Sequence, residues 1–141
     1  MTRIFLAGPL RTQAERSLLR KIETAVRANG SVVFVPHKVI GILRKDCSDL
    51  SPLRRNLVEL QRCDVGIFLI EGERTGTGIE LGYLCRLLDG GESNARLFGF
   101  CRPDSMKNLD LMAKFCIQTR GRMTTSIEEL RRLVHKAEKC P

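Results

Sequence analysis

Residues 64–82 read DVGIFLIEGERTGTGIELG. An aspartate opens six residues without a charge, VGIFLI, and a glycine-rich polar stretch then leads to an acid, Glu80, and another glycine. Six residues suit a strand and fall far short of a bilayer crossing. Since apolar and polar residues do not alternate, both faces of this strand should be covered, as in the interior of a parallel sheet. A helix is expected to follow over about residues 78–88, so the segment reads as strand, glycine-rich turn and helix.

Outward from this unit the same alternation repeats. Residues 3–7, RIFLA, form a short apolar run stopped by Gly8 and Pro9, which reads as a second buried strand ending in a turn. Residues 13–29 carry Leu18, Leu19, Ile22, Ala25 and Val26 at helical spacing, with Gly30 as the stop. Another strand is expected over residues 31–35, closed by Pro36. Residues 38–50 read either as a short helix and loop or as a mobile flap. Ser51 and Pro52 have the pattern of an N-cap and a first helical residue, with Leu53, Leu57, Leu60 and Val58 as the buried stripe.

Beyond residue 88, a fourth strand is expected over 95–100, a helix over 104–116 and an extended piece near 118–123. TSIEEL, from Thr125, offers a hydroxyl followed three residues later by a glutamate, a capping box that opens the last helix. Apolar strands alternating with helices imply an α/β fold, a parallel sheet covered on both faces. The 141 residues suit one domain spanning 1–141. No internal repeat is visible.

Composition narrows the function classes. No stretch is apolar enough to cross a membrane and no leader pattern opens the chain, so a cytoplasmic location is the default expectation. The six cysteines, at 47, 63, 85, 101, 116 and 140, form no CxxC and meet only two histidines. Reduced thiols are expected, with neither disulfides nor a metal. A formal charge of +8 suits an anionic partner. With one residue in twenty aromatic, there is little to stack on a long nucleic-acid strand, and a phosphate-bearing small molecule fits at least as well.

Ligands of such sheets bind beyond the carboxyl ends of the strands. That singles out three turns: residues 8–11, 36–38 and 71–80. Gly76, Gly78 and Gly82 have the spacing GxGxxxG rather than that of a dinucleotide fingerprint, and no Lys follows as in a phosphate loop. They leave bare backbone beside a helix N-terminus, where amides and the helix dipole favour an anion. Glu80 is expected in that first turn, kept ionised by the dipole. It could attack an electrophilic carbon, steady a cation, or merely cap its own helix.

IFLAGPLR near the start, LVELQRCDVGIFLI in the middle and TGTGIELG, in this order and at these separations, resemble the nucleoside 2-deoxyribosyltransferase family, including its deoxynucleoside 5'-monophosphate N-glycosidase branch. The likeness runs from about residue 3 to residue 90. It implies a Rossmann-like, flavodoxin-type three-layer sandwich, a homodimer or larger homo-oligomer, and no cofactor or metal. It also implies attack by Glu80 on C1' of a 2'-deoxyribonucleoside or its 5'-monophosphate, through a covalent deoxyribosyl-glutamate that water or a second base resolves.

Other positions carry over with it. Gly8 and Arg11, with Pro9 between them, resemble a turn that holds the 5'-phosphate, and the guanidinium fork suits such oxygens. His37 resembles a histidine of the base pocket, and Arg74 falls where a phosphate-binding serine is usual. The plainer readings are a solvated Arg11 and an exposed His37.

Two positions depart from the family. Phe5 stands where a tyrosine usually aims the nucleophile, and Asn56 where an aspartate usually contacts or protonates the base. An amide cannot deliver a proton at neutral pH. Asp46 or Asp49 could substitute, although either suits a turn, and Asp64 suits a structural role on nearby amides. A catalytically reduced nucleotide-binding module is therefore the alternative function, and cleavage of a nicotinamide glycoside a more distant one.

Overall fold

The computed structural model describes residues 1–27, 30–40, 48–71 and 75–139. Five strands, β1 (Arg3–Ala7), β2 (Val32–Phe34), β3 (Val65–Leu69), β4 (Arg96–Phe100) and β5 (Gly121–Thr124), form one sheet in the order β2-β1-β3-β4-β5. Every pairing is parallel, the flavodoxin-type arrangement. Six α-helices join them among the described residues: α1 (Gln13–Val26), α2 (Pro36–Ile40), α3 (Ser51–Gln61), α4 (Thr75–Asp89), α5 (Leu111–Arg120) and α6 (Ile127–Glu138).

The strands divide their side chains between two cores, as a period of two requires. Ile4, Leu6, Val65, Ile67 and Leu69 pack with Leu19, Ile22 and Val26 of α1 and Leu130 and Val134 of α6. Phe5, Ala7, Phe68 and Leu97 pack with Leu60 of α3, Leu81 and Leu84 of α4 and Ile117 of α5. The result is a three-layer sandwich with α1 and α6 on one face and α3, α4 and α5 on the other. All five residues of β3 are buried, which is why that stretch shows no polar alternation.

Several expected boundaries are corrected. α1 begins with a capping box at Thr12, whose hydroxyl accepts from the Glu15 N–H while the Glu15 carboxylate accepts from the Thr12 N–H. It ends at Val26, before Gly30, which has a φ of 86°. Ser51 is not a cap: α3 starts on it, no side chain caps Leu50, and Asp49 Oδ1 accepts from the Ser51 N–H at 2.9 Å. Of the expected α3 stripe, Leu60 is buried and Leu57 half-buried, but Leu53 and Val58 are exposed and the helix's other buried residue is Asn56.

α4 starts at Thr75 rather than 78, so Gly76 and Gly78 lie within the helix. The helix expected over 104–116 divides into a 3-10 turn, Pro103–Asn108, and α5, whose cap Asp110 accepts from the Ala113 N–H. At α6, Ser126 caps the Glu129 N–H, but its own N–H donates to Thr124 Oγ1, so the box is only half closed.

Topology sets where a ligand can enter. The chain leaves β1 for α1 on one face and β3 for α4 on the other, and β1 and β3 are neighbours. Their carboxyl ends therefore flank a crevice at the switch point. Gly8 lets them close up, since a Cβ there would lie 2.8 Å from Leu69 Cβ.

Candidate active site

A cleft of about 530 Å³ opens at that switch point. Gly8, Leu10 and Arg11 line it from the turn after β1, Pro36 and His37 from the start of α2, and Gly76, Thr77 and Glu80 from α4. Asn56 reaches it from α3 and Arg16 and Leu19 from α1. The three turns singled out by the sheet rule thus converge on one cavity, with one carboxylate among its described lining residues.

That carboxylate is in an unusual state. Starting α4 at Thr75 puts Glu80 in the second helical turn, past the strongest influence of the helix dipole. Burial, not the dipole, dominates: it pushes the Glu80 pKa up to about 7, against the lowering effect of a hydrogen bond from Asn56. The expectation of a fully ionised Glu80 is corrected accordingly, and near neutral pH the group divides between acid and carboxylate. Asn56 Nδ2 donates to Glu80 Oε1 across a long 3.4 Å. Asn56 is itself buried, and its Oδ1 has no hydrogen-bond partner among the described residues.

His37 is held below the ordinary histidine range, first by burial and then by the positive charge of Lys38. Its Nδ1 is buried with no partner among the described residues. At neutral pH the ring is therefore mostly uncharged, able to donate from one nitrogen and accept at the other. Behind it Lys38 and Arg27 both bond Glu23 on α1.

Arg16 was missed by sequence reasoning. Its Nη1 donates to the carbonyls of Leu10 at 2.8 Å and Arg11 at 3.1 Å, bracing the turn that carries Arg11. The signal was present: Thr12 and Glu15 spell a capping box, which starts the helix at Gln13 and puts Arg16 in its first turn. Thr77 was missed because α4 was expected to start at about residue 78 rather than at Thr75. Gly76 and Thr77 bring the first turn of α4 to the cleft.

Other expected site residues lie elsewhere. Pro9 is buried and does not line the cleft, and Gly78 faces solvent because the helix has already begun. Arg74 and Asp46 lie outside the described residues. Asp64 Oδ2 accepts from the Arg3 N–H at 2.8 Å, a structural use. Phe5 is wholly buried, stacked on Phe34 at 5.6 Å and near Phe68 at 6.3 Å. Cys63, Cys85, Cys101 and Cys116 are free thiols, and no group of His, Cys, Asp or Glu among the described residues is arranged to hold a metal.

A hydrophobic cleft with a carboxylate of intermediate pKa, two guanidiniums and a neutral imidazole suits a nucleophile facing an anionic, ring-bearing ligand. Comparison with known proteins narrows this. The sequence matches the model of the nucleoside 2-deoxyribosyltransferase family over residues 4–112. No curated protein matches it in sequence.

Among solved structures, a conserved protein from Enterococcus faecalis V583 superposes with a TM-score of 0.75 at 18% identity, over 96% of this chain and 98% of that one. A 2-deoxyribosyltransferase from Bacillus psychrosaccharolyticus gives 0.72 at 19% identity, over 92% and 90%. A 2-desoxiribosyltransferase from Leishmania mexicana gives 0.52 at 21%, over 76% and 71%. At these identities the likenesses establish the shared fold.

Proposed function

Because the chain belongs to the nucleoside 2-deoxyribosyltransferase family, we propose that residues 1–141 act as one domain that cleaves or transfers the N-glycosidic bond of a 2'-deoxyribonucleoside or its 5'-monophosphate, with Glu80 as the nucleophile. The observation that carries this reading is the position of Glu80: in the cleft, deprived of any cationic partner among the described residues, and bonded only weakly by a neutral amide. A carboxylate engaged in capping or in an ion pair would have spent its basicity; this one has kept it.

The ionised fraction of Glu80 attacks C1' as the base departs, and negative charge under the ring stabilises the oxocarbenium-like transition state. The missing 2'-hydroxyl makes that cation easier to form. Gly8, Gly76 and Arg11 supply backbone approach and a guanidinium for a 5'-phosphate, while His37 offers its unpartnered Nδ1 to the base. Arg16 holds the phosphate turn in shape. Water or a second base then attacks C1' of the glycosyl-enzyme and frees Glu80.

The same reading includes self-association. The described residues leave Leu53, Val58, Ile79, Leu111, Met112 and Phe115 exposed on α3, α4 and α5, a face suited to a second copy. No helix of the described residues is long and apolar enough to cross a membrane.

One observation favours a second reading, a nucleotide-binding module with reduced catalysis: Phe5 presents no hydroxyl to aim Glu80, and Asn56 carries no acidic proton. Incubation with a panel of deoxynucleosides and their monophosphates, with and without an acceptor base, separates the two. Base release or exchange, together with a deoxyribosyl adduct located on Glu80 by mass spectrometry, supports catalysis. Tight binding without turnover across the panel overturns it in favour of the module.

A further inference from the structure

Resting on Glu80 as nucleophile, we propose that this site acts selectively on deoxynucleosides whose base departs as a stabilised anion, an imide-type pyrimidine with two ring carbonyls, and discriminates against aminopyrimidines and aminopurines. The group beside the nucleophile is the amide of Asn56, and no described residue lining the cleft can serve as a separate acid.

The titratable groups lining the cleft, among the described residues, are Arg11, Arg16, His37 and Glu80. Arginine does not release its proton in this range. His37 is uncharged at neutral pH for the reasons of burial and of Lys38 given above, and a neutral imidazole is a poor acid. Glu80 cannot serve both roles in one step, because the proton it could give the base is the one whose loss makes it a nucleophile. Asn56 reaches Glu80 at 3.4 Å and can hydrogen-bond a base through either end of its amide, yet it has no proton to transfer.

The bond changes then balance without an acid. A Glu80 oxygen forms its bond to C1' as C1'–N breaks, and the electron pair leaves on the ring nitrogen. An imide base spreads that charge over its carbonyl oxygens, in a cleft whose two guanidiniums favour negative charge. The base anion takes its proton from solvent. Water then adds at C1', the Glu80 carboxylate departs with its electron pair, and the proton of the attacking water passes to solvent. An aminopyrimidine or aminopurine, whose anion is less stable, needs protonation before or during departure and meets no group among the described lining residues to provide it.

Single-turnover base release should be measured for a series of 5-substituted 2'-deoxyuridine 5'-monophosphates of graded base acidity, beside the deoxycytidine and deoxyadenosine nucleotides. In the wild-type protein the rate should climb with base acidity by about 100-fold or more over the series, the scale of a missing general acid. Asn56→Asp brings two carboxyls together, so one holds a proton. That variant should flatten the slope and accelerate the amino-base substrates by about 10-fold or more, a pattern that a merely structural role for Asn56 would not produce.

Wild-type rates that stay within about threefold across the series, or cytosine released as fast as uracil, overturn the selectivity while leaving Glu80 catalysis intact. Release from no substrate at all overturns the nucleophile itself, and the selectivity with it. If Asn56→Asp does not fold, the wild-type slope alone decides.

Discussion

The two helical layers treat a buried acid in opposite ways. On the α1 and α6 side, Glu23 is only 7% exposed and bonds both Lys38 and Arg27. Burial raises its pKa, but the two cations more than offset this and hold it below the ordinary carboxylate range. On the α3, α4 and α5 side, Glu80 has an amide for its partner and is pushed up to about 7. Ion pairs occur on both exteriors, Arg131–Glu128 and Arg122–Glu129 at α6 and Arg3–Glu59, Arg86–Glu92 and Arg120–Asp89 at α3, α4 and α5, but the exposed large apolar side chains of the described helices lie on α3, α4 and α5 alone. One layer surrounds its acid with countercharge from its own chain; the other leaves its acid without a cation among the described residues and its outer side apolar.

The largest expected effect tests whether that incompleteness is functional. Glu80→Gln keeps the shape and the hydrogen bonding but removes the nucleophile, so base release should fall about 10³-fold or more. Nucleotide affinity should change far less, because the turns at residues 8–11 and 36–38, the proposed binding elements, are left intact. Single-turnover kinetics beside calorimetric binding reads both, and retained turnover would remove Glu80 from the chemistry.

The same variant should be more stable than the wild type, in a pH-dependent way. The folded pKa of Glu80 is raised from 4.5 to about 7, so its neutral form suits the fold and its ionisation does not. The stability associated with the proton is fully present below pH 4.5 and is lost as pH rises through 7. The difference between those values corresponds to about 3 kcal/mol at pH 8, and Glu80→Gln escapes the loss. Thermal melts of both proteins should therefore coincide near pH 4 and separate toward pH 8. If Glu80 is the nucleophile its ionised form is required, so kcat/KM should rise with pH around an apparent value near 7.

How much of this contrast was legible beforehand follows from what sequence patterns encode. β3 was readable because a strand covered on both faces shows up as an unbroken apolar run, and the order of elements led to the switch point where Glu80, Asn56, Gly8 and His37 meet. Helix starts were harder. Gly76 read as turn and Gly78 as the first helical residue although both occupy the first turn of α4, so Glu80 was placed nearly one turn too near the dipole. Its raised pKa was not readable, because burial of that carboxylate depends on α3 packing against α4, a contact between segments 24 residues apart. Leu53 and Val58 were assigned to the core on apolarity and helical spacing, which do not distinguish a face buried within the chain from an apolar face left exposed on it.

Glu23 supplies a control of opposite sign. Glu23→Gln removes the charge that Lys38 and Arg27 bond and should destabilise the fold at pH 7 by about 2 kcal/mol. Since the folded pKa is lowered, this stability is present above pH 4.5 and disappears as pH falls through the folded value. The gap between variant and wild type should thus close in acid, where the Glu80 gap also vanishes, while above neutrality the two variants move in opposite directions. Parallel shifts would mean that the layers do not differ in the way their partners indicate.

The smallest effect on the chain's own stability should come from its apolar exterior. Leu111, Met112 and Phe115 are 80%, 67% and 58% exposed on α5, so replacing Leu111 and Phe115 with serine removes little packing within the chain. Exposed substitutions of this kind usually change stability by about 0.5 kcal/mol or less. If the α3, α4 and α5 layer is where copies associate, the apparent mass in solution should fall to that of one chain at concentrations where the wild type is larger. Arg20→Ser and Lys21→Ser, at exposed positions of α1 in the opposite layer, are the matched control, and they should leave the mass unchanged. A wild type that is already one chain across the accessible range would assign the apolar face no self-association, and the contrast between layers would then rest on Glu23 and Glu80 alone.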